Sequence, residues 1–130
     1  MTDDLYERGL EIRRAVVGTE YVERSLAEAD DFTRPLQELV TRYCWGDVWS
    51  RPGLERRERS MINLSMIAAL NRPHELKLHV RGAINNGLTQ DEIREILPQV
   101  AIYAGVPASL DSFRVAKEVF AEMKAKGEMA

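Results

Sequence analysis

The sequence predicts an all-α fold, a bundle of six or seven helices joined by short connections, and three observations predict it. Apolar residues recur at helical rather than alternating spacing along almost every segment. No run of β-branched and aromatic residues between turn signals argues for a strand. Helix starts and stops, in the form of Thr and Pro in first turns and Gly at ends, punctuate the chain at helix-length intervals. With 130 residues, 45% hydrophobic and 30% charged, the chain has one domain's worth of sequence, and a single packed domain over 1–130 is expected.

The first helix is expected from near Asp3 to Val17, with Leu5, Gly9, Ile12 and Val16 on one face and Gly18 as a left-handed stop. A short helix from about Glu20 to Ala29 follows. Thr33 with Pro35 reads as the next start, and Leu36, Leu39, Val40 and Tyr43 recur at the spacing of a buried stripe. Ser50-Arg51-Pro52-Gly53 is turn chemistry that separates the N-terminal third from a more apolar remainder, and it is too short for an interdomain linker.

From about Leu54 to Asn71, Met61, Ile62, Leu64, Met66, Ile67 and Leu70 cover nearly the whole circumference, so this helix is expected to be buried on all sides, at the centre of the domain or of an oligomer. Pro73 opens the next helix, which runs to about Asn86 with Leu76, Val80, Ala83 and Ile84 inward and Gly87 at its end. Thr89-Gln90-Asp91-Glu92 matches a capping box. The helix it opens carries Ile93, Ile96, Leu97 and Val100 on one face, is expected to bend at Pro98, and closes at Gly105 and Pro107. A last helix from about Ala108 to Lys126 turns Phe113, Ala116, Phe120 and Met123 inward.

Lys and Arg number 18 against 21 Asp and Glu, a net charge of -3, so no overall positive field favours a nucleic-acid backbone. Met1-Thr2-Asp3-Asp4 is acidic with no apolar run behind it. The longest strongly apolar stretch, Met61 to Leu70, is interrupted by Asn63 and Ser65 and is too short to cross a bilayer. The expectation is a cytoplasmic protein without membrane association. Cys44 is the only cysteine, which excludes an internal disulfide, a CxxC redox pair and a multi-thiolate zinc site within one chain; no metal site is expected.

Two histidines limit the choice of a group that titrates near neutrality. His74, beside Pro73 in a first turn, reads as a solvated surface residue. His79 lies one helical turn beyond Glu75, so a carboxylate can fix its tautomer and raise its basicity, although an exposed structural pair has the same spacing. Arg56, Arg57, Arg59 and Arg72 lie at the two ends of the apolar helix, with Arg72 three residues before Glu75. Arginine suits bidentate capture of a carboxylate, while a charged helix end is the plainer account of Arg56 or Arg57. Trp45 and Trp49 could wall a pocket or pack as core anchors. Asn85-Asn86-Gly87 most simply ends a helix, with a lesser role for one amide facing a ligand.

Arg42-Tyr43-Cys44-Trp45-Gly46-Asp47-Val48-Trp49-Ser50-Arg51-Pro52-Gly53-Leu54, Arg59-Ser60, Asn71-Arg72, Glu75-Leu76-Lys77-Leu78-His79 and Asn85-Asn86-Gly87 closely resemble the carboxymuconolactone decarboxylases. The resemblance covers essentially the whole chain, and the Trp-Gly-Asp-x-Trp and Arg-Pro-Gly-Leu segments distinguish these enzymes within a wider superfamily. That superfamily includes alkylhydroperoxidase-D-like proteins, whose site resembles Cys-x-x-Cys-x-x-x-His with an upstream glutamate. Placing that histidine on His79 puts the cysteine positions at Arg72 and Glu75 and the glutamate near Ser60. Without the nucleophilic thiolate, a disulfide-cycling peroxidase is excluded.

The resemblance implies a helical homo-oligomer, commonly a hexamer, with no metal or organic cofactor, acting on a small lactone dicarboxylate of aromatic catabolism. Such a butenolide is its own electron sink, because the conjugated lactone carbonyl accepts the electron pair left as carbon dioxide departs. The protein need only hold the acetate arm, place a donor near the lactone oxygen, and protonate the dienolate carbon. The resemblance gives the last role to His79, oriented by Glu75, and the clamp to Arg72 or an arginine of the Arg56 to Arg59 turn, Arg59 included. Ser60 is a candidate for the lactone oxygen, and Trp45 or Trp49 for an apolar wall. Two other readings stay open: a non-catalytic oligomeric or ligand-binding member of the superfamily, and a decarboxylase or isomerase of a related lactone.

Overall fold

A computed structural model describes residues 3–130, as seven α-helices and one π-helical stretch, with no strand among them. Met1 and Thr2, half of the acidic start, lie outside the described residues. The chain forms two compact units, one ending at Glu55 and the other beginning at Arg56. The boundary falls just after the Ser50 to Gly53 turn.

In the first unit α1 spans Asp4–Val17, α2 Thr19–Glu28 and α3 Arg34–Leu39, and the chain then widens into a π-helix over Val40–Val48. Asp3 caps α1 by accepting from the Tyr6 backbone N–H at 3.2 Å, and its carboxylate also pairs with Arg42 of the π-helix. Gly18, at φ 96°, separates α1 from α2, which is the left-handed stop expected of it.

The expected stripe on the third helix is corrected. Leu36, Leu39 and Tyr43 are exposed, and the buried residues are Thr41, Trp45 and Gly46. Leu36 and Leu39 lie in α3 and their exposure has no structural explanation; for Tyr43 and the residues after it the π-turn is the reason. Hydrogen bonds reach back five residues there, as from the Trp49 N–H to the Cys44 carbonyl at 3.0 Å, so a 3.6-residue period no longer tracks one face. The widened turn also brings backbone onto backbone: a methyl group on Gly9 would overlap the Thr41 carbonyl, and one on Gly46 the Leu5 carbonyl.

In the second unit α4 spans Arg56–Ala69, α5 Pro73–Asn85, α6 Gln90–Ala104 and α7 Val106–Ala125. The capping box at Thr89 forms as its sequence predicts, with Thr89 Oγ1 accepting from the Glu92 N–H at 3.1 Å and Glu92 Oε1 accepting from the Thr89 N–H at 2.9 Å. Glu92 also pairs with Arg57, whose guanidinium donates to the Gly87 carbonyl at 3.0 Å, so the start of α4 is tied to the α5–α6 turn. The core joins Leu64 and Ala68 of α4, Leu76 and Val80 of α5, Ile93 and Leu97 of α6, and Val119 and Met123 of α7. Burying such side chains stabilises by about 1.5–3 kcal/mol each.

Three further expectations change. Burial of α4 on all sides does not hold within the chain: Ser60, Leu64 and Ala68 face inward, while Ile62, Met66 and Leu70 are 44%, 51% and 64% exposed. Phe113, expected inside, is 38% exposed. Pro107 does not close α6; it sits in the first turn of α7, where its missing N–H costs nothing. Pro98 lies inside α6, and the helix continues through it.

Candidate active site

His79 lies in the middle of α5, next to the buried Val80, and is half-buried. Burial pushes its imidazole below the ordinary 6.5, because desolvation penalises the cation, and the charge of Glu75 one turn earlier pulls the other way. Glu75 itself is exposed in the first turn of α5, where the helix dipole favours a carboxylate. His74 is exposed, as expected for a surface residue.

The neighbour that sequence reasoning missed is Asn63. It reads in the sequence as an interruption of an apolar run. In the structure it is half-buried on α4, with Nδ2 3.5 Å from His79 Nδ1. A signal for it was present: Ser60 and Asn63 are polar at i, i+3, so one face of an otherwise apolar helix carries two hydrogen-bonding groups.

Ser60 is only 3% exposed and accepts a 2.8 Å hydrogen bond from Asn86 Nδ2 at the end of α5. The amide expected at most to face a ligand thus holds a candidate site residue. Arg59 is half-buried and precedes Asn63 by one turn, on the same side of α4. Arg72 is the N-cap residue of α5, exposed, with its guanidinium donating to the Leu70 carbonyl at 3.2 Å. Arg57 is committed to Glu92, whose carboxyl it holds at about 2, so the plain structural account applies to it.

Trp45 and Trp49 belong to the first unit. Both are buried, with ring centroids 4.8 Å apart and planes 33° apart, so each packs against the other. Cys44, on the same π-helix, is exposed as a residue, but partial desolvation of its thiol raises its pKa above the ordinary 9.0. Nothing there marks a reactive thiolate. Among the described residues no group of three or more His, Cys, Asp or Glu is placed to hold a metal ion. No helix among them is long and apolar enough to cross a membrane.

The contacts bring together an imidazole of enhanced acidity, an amide at one of its nitrogens and a carboxylate one turn away, and the helix that carries the amide also carries a buried hydroxyl and a half-buried arginine. That set can move a proton and bind an anion. The described residues form seven α-helices and a π-helical stretch without a strand, an all-α protein whose sequence has no cysteine pair.

The pattern of the carboxymuconolactone decarboxylase family matches residues 34–118, and the chain belongs to that family. It is 46% identical over 124 residues to a nitrosuccinic acid decarboxylase of Metarhizium robertsii, covering 95% of this chain and 87% of that protein. It is 43% identical over 118 residues to a 4-carboxymuconolactone decarboxylase of Acinetobacter baylyi, covering 91% of this chain and 88% of that protein. A 4-carboxymuconolactone decarboxylase of Pseudomonas putida matches at 43% over 42 residues, 32% of this chain and 88% of that protein. The chain is a carboxy-lyase of the all-α type.

Proposed function

We propose that the protein decarboxylates 4-carboxymuconolactone to 3-oxoadipate enol-lactone and carbon dioxide, without a cofactor, in the protocatechuate branch of aromatic catabolism in the cytoplasm. The observation that carries this reading is the half-buried His79 imidazole, more acidic than usual, with Asn63 of α4 3.5 Å from its Nδ1. The similarity to the Acinetobacter baylyi enzyme along 91% of the chain supports this choice of substrate.

The C–CO2 bond breaks with its electron pair delocalising through the ring double bond into the lactone carbonyl. A protonated His79 then gives its proton to the dienolate carbon, returns to the neutral form, and is recharged from water. Glu75 favours the charged imidazole, and its influence is opposed by burial. Arg72 or Arg59 holds the acetate carboxylate, and Ser60 donates to the lactone oxygen.

A second reading has its own observation, the 46% identity to a nitrosuccinic acid decarboxylase. Nitrosuccinate loses a carboxylate from the carbon that bears its nitro group, which takes the electron pair as a nitronate, and it keeps a second carboxylate. The same acid and the same clamp would serve. Purified protein is to be incubated in parallel with freshly made 4-carboxymuconolactone and with nitrosuccinate, following carbon dioxide. Release from the lactone above its unaided decay is expected; release from nitrosuccinate alone would replace the first reading by the second.

We infer as well that copies assemble into a homo-oligomer, a hexamer being what the family resemblance implies. The exposed Ile62 and Met66 of α4 line a groove of about 490 Å³ shared with Ile96 and Tyr103 of α6, an apolar surface of the kind that partners cover. Light scattering on the eluted protein tests this, and a monomer at micromolar concentration would refute it.

A further inference from the structure

Asn63 stands in the apolar half of α4, one turn after Ser60, and its side-chain Nδ2 meets His79 Nδ1 at 3.5 Å. That is longer than a formed hydrogen bond of about 2.7–3.2 Å, a separation that catalytic contacts can have before substrate closes on them. An amide nitrogen only donates, so Nδ1 accepts, and the single proton of the neutral ring sits on Nε2. We propose that Asn63 is the positioning residue of His79, holding the ring by Nδ1 and so committing Nε2 to the substrate. The inference rests on the decarboxylase reading of His79.

An amide suits this duty because His79 must change its charge during turnover. The resting neutral ring offers a lone pair at Nδ1, which the Asn63 N–H fills. The imidazolium offers an N–H there, which the carbonyl oxygen of the same amide accepts after a half-turn about its terminal bond. A carboxylate could serve only the second state and a leucine neither. The imidazolium passes its Nε2 proton to the dienolate carbon, whose electron pair came from the broken C–CO2 bond; the ring left behind keeps its proton on Nδ1, held by the Asn63 carbonyl oxygen, until water returns a proton to Nε2.

The test uses the full chain with 15N-labelled histidine, the two histidines being told apart by His74→Gln. At a pH above the titration of His79, the wild-type ring is expected to show its proton on Nε2. Asn63→Asp is expected to move that proton to Nδ1, because a carboxylate only accepts. Asn63→Leu should lower kcat by about 10- to 100-fold with little change in KM and an unchanged helical circular-dichroism signal. A wild-type neutral ring protonated on Nδ1, or an Asn63→Leu protein with wild-type ring shifts and kcat, overturns the proposal. The tautomer is read without substrate, which separates the two failures. An Nε2-protonated ring in a protein that decarboxylates neither compound overturns the decarboxylase reading of His79. An Nδ1-protonated ring in an active enzyme overturns the role of Asn63.

Discussion

Asn86 donates its side-chain amide to Ser60 Oγ at 2.8 Å and reaches the Arg56 carbonyl at 3.4 Å, fastening the end of α5 to the first turn of α4. This bond fixes the relative placement of the two helices that carry Asn63 and His79. It also leaves the Ser60 proton for donation, since Oγ is the acceptor.

Asn86→Ala should therefore cost about 1–3 kcal/mol of stability, because a buried hydroxyl loses its donor. Ser60→Ala should cost less, since the half-buried amide it leaves behind can turn to water. If Ser60 meets the lactone oxygen, Ser60→Ala also lowers kcat by about tenfold or more. Thermal melts and turnover on the two variants separate the roles, and wild-type turnover in Ser60→Ala would leave that residue a purely structural one.

Gly9→Ala and Gly46→Ala each place a methyl group onto a carbonyl of the facing segment, Thr41 in one case and Leu5 in the other. Backbone cannot step aside as a flexible side chain can, so each change is expected to destabilise the first unit by about 1–3 kcal/mol or more. Both tryptophans lie in that unit, so their fluorescence reports its unfolding. Unaltered melting in either variant would show that the close approach of α1 to the π-helix is not tight.

The ion pair of Arg57 and Glu92 gives a pH signature. Glu92 is held at about 2, against an ordinary 4.5, chiefly by the Arg57 guanidinium. A carboxyl with a depressed folded-state value contributes stability that is complete above its unfolded value and is lost as pH falls through the folded one. The difference in melting temperature between the wild type and Glu92→Gln is therefore expected to be steady above about pH 5 and to shrink between about 4.5 and 2. A difference that does not change over that window would mean the pair contributes nothing.

Much of this was legible in the sequence where the signal is local. The Thr89 capping box and the Gly18 stop depend on a few consecutive residues and formed as written. The π-helix did not, because a widened turn is set by what it packs against: Gly9 and Gly46 permit the approach of α1, and no periodicity announces it. The exposed side of α4 was illegible for another reason, since an apolar face has the same pattern whether its own chain or a second copy covers it. His79 was readable through scarcity and through Glu75 at helical spacing. Asn63 was readable only as a polar residue spaced with Ser60, because its meaning comes from α5, 16 residues away along the chain.

Glu75 and His79 make opposing demands that a pH profile can read. Burial lowers the imidazole below 6.5, and Glu75 raises it. If the imidazolium is the acid that protonates the dienolate carbon, kcat is highest at low pH and falls as pH rises through a midpoint below 6.5. Stability runs the other way. A histidine with a depressed folded-state value contributes stability that is present above its unfolded value and lost as pH falls through the folded one. Glu75→Gln removes the influence that opposes burial, so its kcat midpoint should move further down and its rate at pH 7 should fall, while His79→Ala should abolish turnover and keep the helical signal. A wild-type midpoint at or above 6.5 would mean that burial does not govern the imidazole, and a midpoint that Glu75→Gln leaves in place would separate Glu75 from the chemistry. Near-normal turnover in His79→Ala would remove the histidine itself.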